Sequence, residues 1–116
     1  MKANELMVGN LVIFSEDQTI FKVEEISTTG LAVSNENEST WIEIDQFQPI
    51  PLDEEWLKRF DWQLISNINY YFNSYFSIDI YGHVYYQNDY TGLNIYTVHQ
   101  LQNLYFALTG KELTIN

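Results

Sequence analysis

Residues 96–111 read Y-T-V-H-Q-L-Q-N-L-Y-F-A-L-T-G-K, from Tyr96 to Lys111. Thr97 and Gln100 have the S/T-x-x-E/Q spacing of a capping box. Tyr96 before the cap and Leu101 after it stand where a hydrophobic staple closes. Leu101, Leu104, Tyr105 and Leu108 recur at i, i+3, i+4 and i+7, which predicts one apolar helix face. Gly110 occupies the C′ position, and Lys111 lies near the negative end of the helix dipole. Start, face and stop agree on a C-terminal helix. The rest of the chain is mostly short strands and turns, so this helix makes the fold class α+β.

Immediately before the helix, residues 62–96 alternate strand-like runs with turns. W-Q-L-I-S is one run, and Asn67 to Asn69 is a turn. Between Tyr75 and Tyr81, Phe76, Ile78 and Ile80 alternate with polar and tyrosine positions. Gly82-His83 reads as a hairpin turn, Val84 to Gln87 as the return strand, and Asn88 to Gly92 as a loop before Leu93–Tyr96. The pattern predicts an antiparallel β-meander closed by the C-terminal helix. Upstream, Asp53 is a helix cap with Glu54 and Glu55 in the first turn and Trp56, Leu57 and Phe60 on an apolar face. Leu52 and Leu57 are placed for a second staple. Pro49 and Pro51 make Phe47 to Leu52 an extended connector.

The first part of the chain has four short strands about ten residues apart: 10–15, 19–26, 31–33 and 40–44. Glycine at 30, after Thr28-Thr29, is expected to turn the chain with φ > 0. These strands predict a small antiparallel SH3-like barrel or half-barrel, an analogy of shape that carries no function. The expected organisation is a single domain over 1–116. A barrel-like β subregion covers 1–48, and a helix–meander–helix subregion covers 53–116.

The net charge is −11. Residues 1–61 hold 13 of the 16 acids and four of the five bases, a net of −9. This argues against direct binding to nucleic-acid backbones and anionic membranes, which need Lys and Arg. Aromatic residues run the other way, six in 1–61 and 13 in 62–116. No apolar run approaches the roughly 18 residues of a membrane span. The N-terminus turns polar too early for a signal-peptide core. A soluble, cytoplasmic protein is therefore expected. The chain has no cysteine, which removes thiol catalysis and thiolate metal sites.

Two histidines are the only candidates for acid–base or metal chemistry. His99 lies beside the helix cap, and His83 lies between Asp79 and Asp89. Asp79, His83 and Asp89 are N/O ligand types, but their spacing matches no metal motif. Adjacent carboxylates such as Glu24-Glu25 and Asp53-Glu54-Glu55 diverge rather than share a site. Phosphate-loop, dinucleotide, G-x-S-x-G and H-E-x-x-H patterns are all missing from the sequence. No cofactor or metal is expected. The compositional oddity is the tyrosine cluster, whose candidate interaction residues are Tyr71, Tyr75, Tyr81, Tyr85, Tyr86 and Tyr90, with His99. Tyrosines on a sheet with few charges around them resemble a protein interface.

Three strings together, M-K-A-N-E-L-M-V-G-N, I-P-L-D-E-E-W-L-K-R-F and V-H-Q-L-Q-N-L-Y-F-A-L-T-G-K-E-L, give the chain a family resemblance. It resembles a group of small uncharacterised proteins encoded in Bacteroidetes genomes, often near prophage or mobile-element genes. The resemblance implies a mobile-element setting and no activity. The sequence therefore favours a non-enzymatic module that binds a protein partner or self-associates as a homo-oligomer. One alternative is an acidic DNA mimic that inhibits a nucleic-acid-binding protein. Another is an unrecognised hydrolase or metal enzyme using His83 or His99. Gln102 and Asn103, placed on the exposed face of the helix, are left without a folding role.

Overall fold

A computed structural model describes residues 1–65, 70–72, 76–79, 81–87 and 89–115, with the backbone alone for 63–65 and 70–72. The chain is α+β and divides into two compact units. One is Met1–Pro51 with Thr97–Asn103, and the other is Leu52–Tyr96 with Leu104–Asn116. The expected turn at Asn67–Asn69 lies outside the described residues.

In the first unit, β1 (Leu11–Phe14), β2 (Ile20–Ile26), β3 (Gly30–Ser34), β4 (Ser39–Glu43) and β5 (Phe47–Gln48) form one antiparallel sheet, ordered β4-β3-β2-β1-β5. It is the expected half-barrel with one strand more. Phe47 and Gln48 were expected as connector, yet they pair with Phe14 and Ile13. The prolines bar a strand only from Pro49 onward, since Pro lacks the N–H a ladder needs. Glu24 is an extra residue between the Val23↔Val33 and Glu25↔Ala32 pairs. A bulge of this kind bends a strand and helps a sheet curl. Inside the curl, Leu6, Val12, Phe21, Val23, Leu31, Val33 and Phe47 form the core. Phe47 meets Phe14 and Phe21 edge-on at 6.3 and 6.5 Å.

Gly30 does not have the positive φ expected of it. It is needed for space instead. A Cβ there would lie 2.3 Å from Cζ2 of Trp41 and 2.7 Å from the Ile42 carbonyl oxygen. The indole on the neighbouring strand occupies the volume a side chain would take.

The C-terminal helix α2 (Val98–Thr109) starts as predicted. Thr97 N–H donates to Gln100 Oε1 at 3.2 Å, and Gln100 N–H donates to Thr97 Oγ1 at 3.3 Å. Its buried residues, however, are Val98, His99, Leu101 and Gln102. Of the expected face, Leu101 is buried and Leu104 and Tyr105 are half-buried, but Leu108 is exposed, so the face holds only in its first three members. Gln102 and Asn103 also differ from expectation. Leu11 N–H donates to Gln102 Oε1 at 2.9 Å, and Gln102 Nε2 donates to the Gly9 carbonyl at 3.2 Å. Asn103 Nδ2 donates to the Glu5 carbonyl, and Asn103 Oδ1 accepts from Asn10 Nδ2 at 2.8 Å. Asn10 Oδ1 in turn accepts from Met7 N–H.

In the second unit, α1 (Glu54–Arg59) is capped by Asp53, whose Oδ1 accepts from Trp56 N–H at 3.0 Å. Five strands follow: β6 (Gln63–Ile65), β7 (Tyr70–Phe72), β8 (Ser77–Asp79), β9 (His83–Tyr86) and β10 (Asp89–Asn94). They form a second antiparallel sheet ordered β10-β9-β8-β7-β6, the expected meander. Asp89–Gly92 is strand rather than the expected loop, with an irregular register between Tyr90 and Asn94. Gly92, at φ 83°, sits inside that irregular stretch, and glycine meets such a φ at no steric cost. Trp56, Leu57, Phe60, Trp62, Phe76, Ile78, Val84 and Ile95 are buried in this unit. Trp62 meets Phe76 edge-on at 5.0 Å.

Replacing Gln102 by Ala removes one acceptor and one donor from half-buried backbone groups of Leu11 and Gly9, each costing about 1–2 kcal/mol when unsatisfied. Gln102→Ala is expected to lower unfolding free energy by about 2–4 kcal/mol in urea titrations. Gln100→Ala, which loses the reciprocal cap, is expected to cost about 1 kcal/mol.

Candidate interaction surface

Asp79, the last residue of β8, organises the connection into β9. Its Oδ1 accepts from the backbone N–H groups of Tyr81 and His83, both at 2.9 Å. Its Oδ2 accepts from Tyr85 Oη at 3.1 Å and lies 2.9 Å from His83 Nδ1. Burial alone would raise the Asp79 pKa. The hydrogen bonds from His83 and Tyr81 N–H and from the His83 and Tyr85 side chains outweigh it, and the group is held below its ordinary 3.8. The side chain is therefore a carboxylate at neutral pH, so His83 Nδ1 carries the donated proton. Gly82 completes the turn at φ 87°, where a Cβ would fall 2.3 Å from the Ile95 carbonyl oxygen. Ile95 N–H also donates to the Gly82 carbonyl at 2.9 Å. The turn glycine is thus fixed both by its own backbone and by the chain beyond β10.

On this frame the rings assemble. His83 lies 6.2 Å from Tyr81 and 5.3 Å from Tyr90, and Tyr90 lies 5.7 Å from Tyr85. Tyr85 and Tyr90 are directly paired across β9 and β10, where aromatic pairs add stability. Tyr90 Oη donates to Asn94 Oδ1 at 2.9 Å. Tyr81, Tyr86, Tyr90 and Tyr96 remain 69, 54, 51 and 59% exposed. All six residues of β10 are exposed.

Of the residues singled out from the sequence, Tyr81, Tyr85 and Tyr90 fall together here, whereas Tyr86, next to Tyr85 on β9, is on the opposite face of the sheet. Tyr75 and the side chain of Tyr71 lie outside the described residues. Tyr96 was in the cluster but not among the named interaction residues, and it is more exposed than Tyr86. Asp79 was named only as a metal ligand. The signal that could have found its real place is D-x-x-G-H, an Asp with a turn glycine three residues on. Asp89 does not join Asp79 and His83, since it pairs with Tyr86 at the other end of β9. Among the described residues, no group of three His, Cys, Asp or Glu could hold a metal ion.

His99 is elsewhere, in the first unit, and is 3% exposed, which removes it from any contact surface. Its Nδ1 lies 3.3 Å from Thr97 Oγ1, and its Nε2 lies 4.0 Å from Glu5 Oε2. Burial lowers its pKa below 6.5, Glu5 partly opposes this, and the N-terminal amine adds to the lowering.

Beside the Asp79 turn, the second unit has a cleft of about 370 Å³. Leu52, Leu57, Ile78 and Ile95 supply its apolar lining. Asp53, Glu54 and Asp79 add carboxylates, and Tyr81 and Tyr96 add rings. Neither histidine lines it. No helix among the described residues is long and apolar enough to cross a membrane. No family model, curated protein or solved structure matches this chain.

Two groups make stability depend on pH in different windows. His99 is held neutral in the fold, so the unfolded chain takes up the proton first as pH falls below 6.5. Stability is therefore expected to decline below that pH, and His99→Gln is expected to flatten this limb. Asp79 has a depressed pKa, so its contribution is full above 3.8 and is lost as pH falls through the folded value. Asp79→Asn is expected to flatten only this lower limb. Urea midpoints measured across pH for the three proteins check both.

Proposed function

We propose that this protein is a non-enzymatic interaction module that engages a protein partner through the tyrosine-bearing face of its second sheet. The observation that carries this reading is the set of half-exposed tyrosines, Tyr81, Tyr90 and Tyr96, on one unit, with Tyr81 and Tyr90 flanking His83. Tyrosine supplies large contact area with few rotatable bonds and keeps a hydroxyl for water or a partner. The Asp79 turn supports the reading by fixing His83 and Tyr85, so that part of the ordering cost of binding is met in advance. Leu93, also exposed on β10, adds apolar area to the same region.

Self-association is the second form of this reading. A net charge of −11 disfavours it, because two copies repel. A partner of opposite charge suits the protein better. A mobile-element setting, implied by the family resemblance, is compatible with such a partner.

The test uses Tyr81→Ser combined with Tyr90→Ser. Light scattering is expected to give a monomer for both proteins. The unaltered chain, immobilised, is expected to retain a specific protein from its native host, and the variant to retain it at least about tenfold less well, the scale of an interface hot spot. Equal melting of the two proteins excludes unfolding as the cause. A strict monomer that retains nothing, or a variant that retains the same protein equally well, contradicts the proposal.

A further inference from the structure

We infer that the cleft beside the Asp79 turn receives an arginine side chain of the partner. This rests on the interaction reading above and gives it a specific contact. The cleft has the layered chemistry that such a side chain requires. Leu52, Leu57, Ile78 and Ile95 offer an apolar lining for its methylene stem. Asp53, Glu54 and Asp79 offer negative charge for its head, and no lysine or arginine among the described residues lines the cleft. Tyr81 and Tyr96 offer ring faces, on which a guanidinium is held by cation–π attraction. The volume of about 370 Å³ falls in the roughly 300–1,000 Å³ range of ligand clefts.

Two of the carboxylates are fixed before any partner arrives. Asp53 Oδ1 is held by Trp56 N–H, and Asp79 is held by four donors. Their charge is therefore preorganised, which lowers the cost of binding. Glu54 pairs with Lys58 at 3.3 Å, with both side chains more than half exposed. An exposed i,i+4 pair of this kind is worth little and yields readily to a better-placed cation. The distribution of the acids also selects the type of cation. Among the described residues, no three acidic or histidine side chains converge tightly enough for a metal ion. Charge spread around an apolar cleft suits a broad, delocalised guanidinium more than a compact ion.

The test titrates the full-length, isotopically labelled chain with the blocked peptide Gly-Leu-Arg-Leu-Gly. A matched peptide has citrulline in place of arginine, which keeps the shape and removes the charge. The arginine peptide is expected to shift the amide resonances of Leu57, Gly82 and Ile95 saturably, and the citrulline peptide to bind at least about tenfold more weakly. Asp53→Asn preserves the cap, since Asn caps as well as Asp, and Glu54→Gln preserves size. The double variant is expected to lose about tenfold for the arginine peptide, and nothing for the citrulline peptide. Equal binding of the two peptides, or no saturable shift at those amides, overturns the inference. If Tyr81→Ser with Tyr90→Ser releases the host partner while Asp53→Asn with Glu54→Gln retains it fully, the cleft assignment falls and the tyrosine face stands.

Discussion

The carboxamide of Gln102 takes the place of a strand in the first unit. Leu11 and Ile13 present backbone groups to the same edge of β1, since residues two apart point the same way, and the carbonyl of the turn residue Gly9 meets Gln102 beside Leu11 while its N–H bonds Val23 of β2. At Ile13 that edge is covered by β5, which pairs with Ile13 and Phe14 only. At Leu11 and Gly9 the ladder continues with a side chain. Gln102 accepts from Leu11 N–H and donates to the Gly9 carbonyl, as one residue of a parallel neighbour would. Without it, a half-buried edge would leave the Leu11 N–H and the Gly9 carbonyl without these bonds. Asn103 and Asn10 extend the connection to Glu5 and Met7, so the turn before β1 is held by amide side chains as well as by its own backbone.

Much of this architecture is legible in the sequence, and the parts that are not share a cause. The two helix starts are written in local rules. Thr97 with Gln100, and Asp53 with Trp56, need only neighbours in the chain. The strands of the half-barrel show in the alternation of Phe21 and Val23 with charged residues. The buried face of α2 shows only in part, because two of its four buried members, His99 and Gln102, are polar. Hydrophobic periodicity cannot find a polar residue whose partner is backbone some 90 positions away. β5 is hidden by the prolines that follow it, and β10 by Gly92. Gly30 looks like a turn residue and is instead the seat of the Trp41 ring.

The candidate surface follows the same division. Tyrosine enrichment is visible in composition, but not the residue that orders it. Asp79 becomes important only once the chain turns at Gly82 and brings Tyr81, His83 and Tyr85 to one carboxylate. That carboxylate, the ring contacts from Tyr81 to Tyr85, and the acid-rimmed cleft lie within one unit. The proposed partner contact therefore needs nothing from the half-barrel. The half-barrel has its own core and its own polar fastening, and the functional proposal leaves that fastening a purely structural role.

The substitution of a side-chain amide for a strand is the claim on which the account of the first unit stands. Native-state hydrogen exchange at the Leu11 amide tests it most directly. The account predicts that Leu11 N–H is protected as strongly as Phe14 N–H, which donates to the Thr19 carbonyl at 2.8 Å within the β1–β2 hairpin. Exchange at Leu11 as fast as in an exposed loop, with Phe14 still protected, would contradict it.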